Sequence, residues 1–224
     1  MKDKRKKIVG ITMRIMDIER EPDQRDAISK DWNIYISDGF PNLIPFPLFN
    51  NPDQIVEWVE YLNVRCLILS NGNDCGSAPD RDQTEKKVIE YFTDKNLPIL
   101  GVCRGFQILN LYYDGNLETN LKKKSGENHV ALDHEIDVLD LLDVGEDKKI
   151  RVNSYHNQGV MESGLSKDLN PFAVSERGVV EGFYHPNKPI LGLQWHPERH
   201  SPSKNYDFNL ISRFWKEGAF WAKK

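Results

Sequence analysis

The first hundred residues alternate short apolar runs with amphipathic stretches, and that rhythm limits the possible folds more than any other feature. Lys7-Ile8-Val9-Gly10-Ile11-Thr12-Met13 is rich in β-branched residues and predicts a strand. Cys66-Leu67-Ile68-Leu69 and Leu97-Pro98-Ile99-Leu100-Gly101-Val102 are apolar without alternation, as strands buried on both faces must be. Leu43-Ile44-Pro45-Phe46-Pro47 fits only a short or edge strand, because proline cannot donate to a ladder. Between these runs, helical spacing recurs. A helix is predicted from about Asp23 to Ser37, burying Ile28, Trp32 and Tyr35. A second opens at Asn51-Pro52 and turns Ile55, Trp58, Val59 and Leu62 to one side. A third, Asp82 to Lys95, points Val88, Ile89 and Phe92 inward. Strands separated by such helices make βαβ units, so the fold class is α/β with a mostly parallel central sheet.

Beyond about residue 115 the rhythm changes. Val130–Leu139, Ile150-Arg151-Val152, Phe172-Ala173-Val174 and Val179–Tyr184 predict short strands separated by Gly, Asn and Pro turns. They read as antiparallel additions to the sheet. Ile190-Leu191-Gly192-Leu193-Gln194-Trp195 returns to buried-strand character, and a helix over Lys204–Lys216 is expected to bury Phe208, Ile211 and Trp215. No repeat or linker interrupts the 224 residues, so one domain spanning 1–224 is expected.

Composition excludes several functions. Thirty Lys and Arg against 34 Asp and Glu leave a net charge of −4, which gives no global basic field for nucleic acid. The basic run Lys2-Asp3-Lys4-Arg5-Lys6-Lys7 reads as a solvated arm. No apolar stretch is long enough for a membrane span, and the charged start lacks the apolar region of a secretory signal, so a soluble cytoplasmic protein is expected. Three cysteines without a C-x-x-C pair suggest neither a disulfide framework nor a zinc cage.

Chemistry concentrates in three places. Gly101-Val102-Cys103-Arg104-Gly105 follows a buried strand and precedes the apolar run Ile108-Leu109-Asn110-Leu111-Tyr112. This G-x-C-x-G spacing is the cysteine counterpart of a nucleophile elbow, in which glycines two positions either side remove Cβ clashes around a strained central residue. Cys103 would then sit at a helix N-terminus, which favours the thiolate. The same spacing also suits an inert cysteine between packing glycines. Second, Gln194-Trp195-His196-Pro197-Glu198 ends the last apolar strand, where His196 is placed to act as base and Glu198 to orient it. A surface turn is the alternative. Third, Ser70-Asn71-Gly72-Asn73-Asp74 is a glycine-bearing turn at another strand end, suited to an oxyanion donor or to nothing more than a turn. All three fall where ligands gather in an open parallel sheet, outside the carboxyl ends of its strands.

Together, G-V-C-R-G-F-Q and the later W-H-P-E resemble the class I glutamine amidotransferase-like superfamily, cysteine hydrolases of γ-glutamyl amides. The resemblance implies a flavodoxin-like sheet, Cys103 as nucleophile, His196 as base and Glu198 as orienting acid. It also implies an oxyanion hole from the backbone of Gly72 and Arg104, with Gln107 holding the glutamyl portion. Asn153-Ser154-Tyr155-His156-Asn157-Gln158 resembles the segment that contacts the glutamyl α-groups, which nominates Ser154, Tyr155 and His156; a polar surface loop is the competing reading. Gly10-Ile11-Thr12-x-Arg14, Arg25-Asp26-Ala27, Asp31-Trp32 and Arg81-Asp82-x-x-Glu85 look most like the free-standing γ-glutamyl hydrolases, in particular a short subgroup acting on γ-glutamyl-CDP-amidate. That subgroup releases glutamate and cytidine diphosphoramidate on the route to phosphoramidate decoration of capsular polysaccharide. It implies a small-molecule, nucleotide-linked γ-glutamyl substrate, no cofactor and no obligatory synthetase partner. A glutaminase subunit feeding a synthetase and a γ-glutamyl-aminobutyrate-type hydrolase are the alternatives. Asn71 departs from the pattern, where a second glycine is usual.

The remaining candidates are weaker. Cys66 reads as core, Cys75 as a bystander in the glycine loop, and Lys122-Lys123-Lys124 as a solvated segment. His129 and His134, with Glu135, have metal-ligand chemistry. An offset of five on a regular strand, however, sets the two histidines on opposite faces, so no metal site is expected.

Overall fold

A computed structural model describes residues 6–20, 22–140, 142, 144–145 and 147–223. The predicted basic run at Lys2-Asp3-Lys4-Arg5 lies outside them. Five strands form the parallel part of the sheet in the order β4 (Leu43–Leu48), β1 (Lys7–Thr12), β5 (Val64–Leu69), β6 (Ile99–Val102) and β12 (Ile190–Leu193). The proline-bearing β4 sits at the edge, where its missing donors cost nothing. From β12 the sheet continues antiparallel through β11 (Val179–Tyr184), β10 (Asn170–Val174), β7 (Val130–Val138) and β8 (Lys149–Tyr155), with the short β9 (Val160–Met161) against β11.

Period-two alternation explains how both faces become dry. Cys66 and Ile68 of β5 face one layer while Leu67 and Leu69 face the other. On the first side lie α1 (Lys30–Gly39), through Trp32 and Ile36, and α6 (Lys204–Glu217), through Leu210, Ile211 and Phe214. On the second lie α2 (Ile55–Tyr61), α3 (Pro79–Asp94) and α4 (Arg104–Tyr112), which bring Val59, Phe92 and Phe106. A five-residue helix, α5 (Leu121–Ser125), carries Lys122, Lys123 and Lys124, all exposed.

Two expectations need correction. The helix predicted from Asp23 starts only at Lys30, with Ser29 as its N-cap. Before it, β3 (Gln24–Ala27) pairs with β2 (Arg14–Asp17) in a separate two-stranded ribbon. Asp23-Gln24-Arg25-Asp26 carries no apolar residue at helical spacing, so nothing in this stretch favours a helix over the ribbon. Phe208 is 44% exposed and stacks on Phe40 at the surface, while Tyr206, Leu210 and Phe214 take the inward positions.

Candidate active site

The carboxyl ends of β1, β5, β6 and β12 are neighbours in the sheet, so the loops leaving them converge. The loop after β6 is the sharpest. Cys103 has φ 55° and ψ −101°, a conformation that a side chain rarely adopts, and it stands at the N-cap of α4. Its flanking glycines are required. A Cβ on Gly101 would come 2.5 Å from the Gly105 carbonyl oxygen, and one on Gly105 would come 2.0 Å from that of Leu69. The Cys103 N–H donates to Leu193 O at 2.8 Å, which pins the elbow to the strand that carries the histidine.

That histidine is buried beside its acid. His196 Nδ1 lies 2.8 Å from Glu198 Oε1, with His196 1% and Glu198 6% exposed. Asn153 clamps the backbone of the same residue: the His196 N–H donates to Asn153 Oδ1 at 2.8 Å, and Asn153 Nδ2 donates to His196 O at 2.9 Å. The Tyr155 ring meets the imidazole edge-on at 5.5 Å. The remaining nitrogen, Nε2, has no hydrogen-bond partner among the described residues, and His196 lines the same cavity as Cys103. Burial alone would push the imidazole toward its neutral form, but the charges of Cys103 and Glu198 prevail and raise it to about 9. By contrast, burial pushes the thiols of Cys66 and Cys75 up to about 11, so neither competes as a nucleophile near neutral pH.

Asn71 is the unforeseen member. Its side chain is buried, and Nδ2 lies 3.0 Å from Glu198 Oε1 and 3.1 Å from His196 Nδ1. The Nδ1 proton belongs to the carboxylate contact, so the amide donates to Glu198 as well. Glu198 therefore receives two donors on one oxygen. Next in the chain, Gly72 has φ +115°, and a Cβ there would meet the Arg14 side chain at 2.8 Å.

The shared cavity has a volume of about 240 Å³. Cys103, His196, Gly72, Arg104 and Gln107 line it, with Tyr155, His156, Asn157 and Gln158 along one side and Arg14, Asn71, Asp74 and Arg199 on the rest of the wall. Gln107 Nε2 donates to Gln158 O at 2.9 Å, tying α4 to that side. Ser154 is not part of the lining; its hydroxyl donates to His129 O at 2.7 Å inside the sheet. The His156 ring, part of the lining, is held by its own segment, donating through Nδ1 to Gln158 O at 2.9 Å. Of the residues that suggested a nucleotide, Arg14 reaches the cavity, whereas Trp32 and Arg81 are fully buried.

The histidines that the sequence placed on opposite faces come together. Ala131 has φ 55°, and the β7–β8 register shifts between Val130 and Leu132. This bulge inserts one residue, so His129 and His134 reach the same side. Their partner there is Glu181 of β11 and not Glu135.

This sheet order and elbow define a class I glutamine amidotransferase-like fold. Two solved structures share it: a Thermoplasma acidophilum protein described as a GMP synthase subunit (TM-score 0.68, 21% identity, 95% of this chain and 96% of that one) and a glutamine amidotransferase of Thermotoga maritima (TM-score 0.61, 16% identity, 93% and 82%). The peptidase C26 family model matches residues 8–198. The chain therefore belongs to the peptidase C26 family and is a hydrolase of amide bonds. It is also 29% identical over 204 residues to the γ-glutamyl-CDP-amidate hydrolase of Campylobacter jejuni, covering 88% of this chain and 92% of that protein. No helix among the described residues is long and apolar enough to cross a membrane.

Proposed function

We propose that this chain hydrolyses a γ-glutamyl amide through an acyl-enzyme on Cys103, with γ-glutamyl-CDP-amidate as its substrate. The observation that carries the reading is the convergence of Cys103 and the His196–Glu198 pair on one cavity. The Cys103 thiolate attacks the γ-carbonyl, and the N–H groups of Gly72 and Arg104 stabilise the oxyanion. The Arg104 N–H is suited to this because the first N–H groups of a helix have no partner within it. His196 gives its proton to the leaving nitrogen, then takes one from the water that opens the thioester. Glutamate is released. Gln107 and Tyr155 hold the glutamyl portion, and the backbone of the 155–158 segment frames it.

The cavity's cations suit an anionic leaving group. Arg14 lines the wall, and the Arg199 guanidinium stacks 4.5 Å from the Tyr155 ring centroid with its Nε 3.6 Å from Glu198 Oε1, which leaves its terminal nitrogens for a diphosphate. Likeness to the Campylobacter jejuni enzyme over most of both chains supports the same choice. Release of cytidine diphosphoramidate then places the reaction ahead of phosphoramidate decoration of capsular polysaccharide.

The test compares kcat/KM for γ-glutamyl-CDP-amidate, γ-glutamyl-aminobutyrate and glutamine. The CDP conjugate is expected to lead by about 10³, or about 4 kcal/mol of transition-state binding from contacts beyond the amide. Cys103→Ala should lower that activity by at least ~10³. Equal values, or preference for the aminobutyrate compound, would overturn the substrate assignment.

A further inference from the structure

Behind the 155–158 segment lies a second polar cluster that the hydrolytic reaction does not use. His129 precedes β7, His134 lies within it, His156 follows β8, and Glu181 is on β11. Glu181 is fully buried, and His129 and His156 are 3% and 5% exposed. Both ring nitrogens of His129 and of His134, Nε2 of His156 and both Glu181 oxygens lack hydrogen-bond partners among the described residues. Seven unsatisfied buried atoms in one cluster call for an explanation, since each costs about 1–3 kcal/mol.

The spacing supplies one. Glu181 Oε1 lies 3.3 Å from His129 Nδ1, 3.5 Å from His134 Nε2 and 3.7 Å from His156 Nε2. Charge-assisted hydrogen bonds are about 2.7–2.9 Å, so these separations are too long for three imidazolium–carboxylate contacts. The first two are close to the edge of a coordination tetrahedron, where ligands about 2.0–2.1 Å from a central ion stand roughly 3.3–3.4 Å apart, and ligand atoms of His129, His134 and Glu181 all lie within 4.8 Å of one another.

The orientation of the rings fits as well. Gln158 O can only accept, so His156 carries its proton on Nδ1 and turns the Nε2 lone pair toward Glu181. On the far side of the His129 ring, Nε2 lies 3.4 Å from Glu127, whose carboxylate is held by the Ser175 hydroxyl at 2.6 Å. A carbonyl or carboxylate behind a ligating histidine is the usual outer support of a metal site. The His129 carbonyl accepts from the His156 N–H at 2.9 Å and from the Ser154 hydroxyl, which fixes the two rings side by side.

We infer that His129, His134 and Glu181 form a binding site for a divalent transition metal, Zn²⁺ first, with the His156 ring beside it. Two imidazoles and a carboxylate suit zinc, and three protein ligands leave the fourth tetrahedral position to a water. Its work is positional. His156 and Gln158 belong to the side of the substrate cavity that Gln107 also grips, and the ion, by fixing His129, whose carbonyl holds the His156 N–H, anchors that side to β7 and β11.

The test uses the purified full chain. Metal analysis should find about one Zn²⁺ per chain in wild type and in Cys103→Ala, and less than ~0.2 in His134→Ala and in the isosteric Glu181→Gln. Chelator-stripped wild type titrated with Co²⁺ should develop visible tetrahedral bands without thiolate charge transfer, saturating at one equivalent. Stripping should lower Tm by at least ~5 °C, with recovery on adding Zn²⁺. These readouts need no substrate, so they stand apart from the hydrolase assignment. On a substrate, stripping should raise KM roughly tenfold and leave kcat within about twofold. Wild type that binds neither Zn²⁺ nor Co²⁺, or whose metal is lost in Cys103→Ala, would overturn the site.

Discussion

Asn71 shows how one side chain bears on the His196–Glu198 pair. The sequence marked it only as a departure at a glycine position, because its partners His196 and Glu198 lie in a distant loop. Its amide donates to the carboxylate that raises His196, so removing either Glu198 or its donor weakens the hold on the imidazolium. The sign follows directly. His196 is raised to about 9, so the imidazolium persists up to that pH and is lost above it. Glu198→Gln is expected to move the alkaline limb of kcat/KM well to lower pH, and Asn71→Ala to move it the same way by a smaller step. Folding should be retained in both. A pH profile from 6 to 10 checks this; an unmoved limb in Glu198→Gln would remove the acid from the triad.

At the scale of the element, the strand–elbow–helix unit from β6 to α4 depends on glycine where backbone meets backbone. The Leu69 carbonyl occupies the place a Gly105 methyl would take, and main chain cannot move aside as a flexible side chain can. Gly105→Ala is therefore expected to cost at least about 3 kcal/mol, measured by urea unfolding. Gly76→Ala is the control. Its Cβ meets nothing within 4 Å and carries only the strain of φ +88°, about 1–2 kcal/mol. Similar losses in the two would mean that α4 shifts freely over β5.

The elbow was legible because its glycines, its buried strand and its helix are contiguous in the chain. The His196–Glu198 pair was legible for the same reason, being two residues apart at a strand end. The ribbon of β2 and β3 was not, since strands of four residues are too short to carry a period that can be read. Nor was the meeting of His129 and His134, which depends on a bulge at Ala131, where nothing in the sequence calls for positive φ. Ser154 and His156 were found as part of a polar segment, but which way each side chain turns is decided by strands β7 and β11, far away in sequence.

Across the whole molecule, three of the four loops at the sheet's carboxyl edge share one buried ionic network. Glu85 of α3 accepts from Thr12 Oγ1 at 2.7 Å, at the end of β1, and from Arg81 Nε at 3.0 Å. Arg81 also donates to Ser70 O at 2.8 Å and Asn71 O at 3.1 Å, beyond the end of β5. Arg104 of α4, next to Cys103, turns its guanidinium inward to Glu85 and Asp82. Burial would raise the Glu85 carboxyl, but the charges of Arg104 and Arg81 outweigh it and hold it below the usual carboxylate range. Glu85→Gln leaves two buried guanidinium groups facing a neutral amide, a change expected to cost roughly 3–5 kcal/mol near pH 7. Because the folded carboxyl is depressed, its stabilisation is complete above the unfolded value of about 4.3 and fades as pH falls through the lower folded value. The gap between wild type and Glu85→Gln in urea unfolding should therefore be widest at neutral pH and narrow on acidification. A gap that stays constant down to pH 3 would mean that Glu85 contributes by packing alone. The elbow would then be held by its glycines without help from the network.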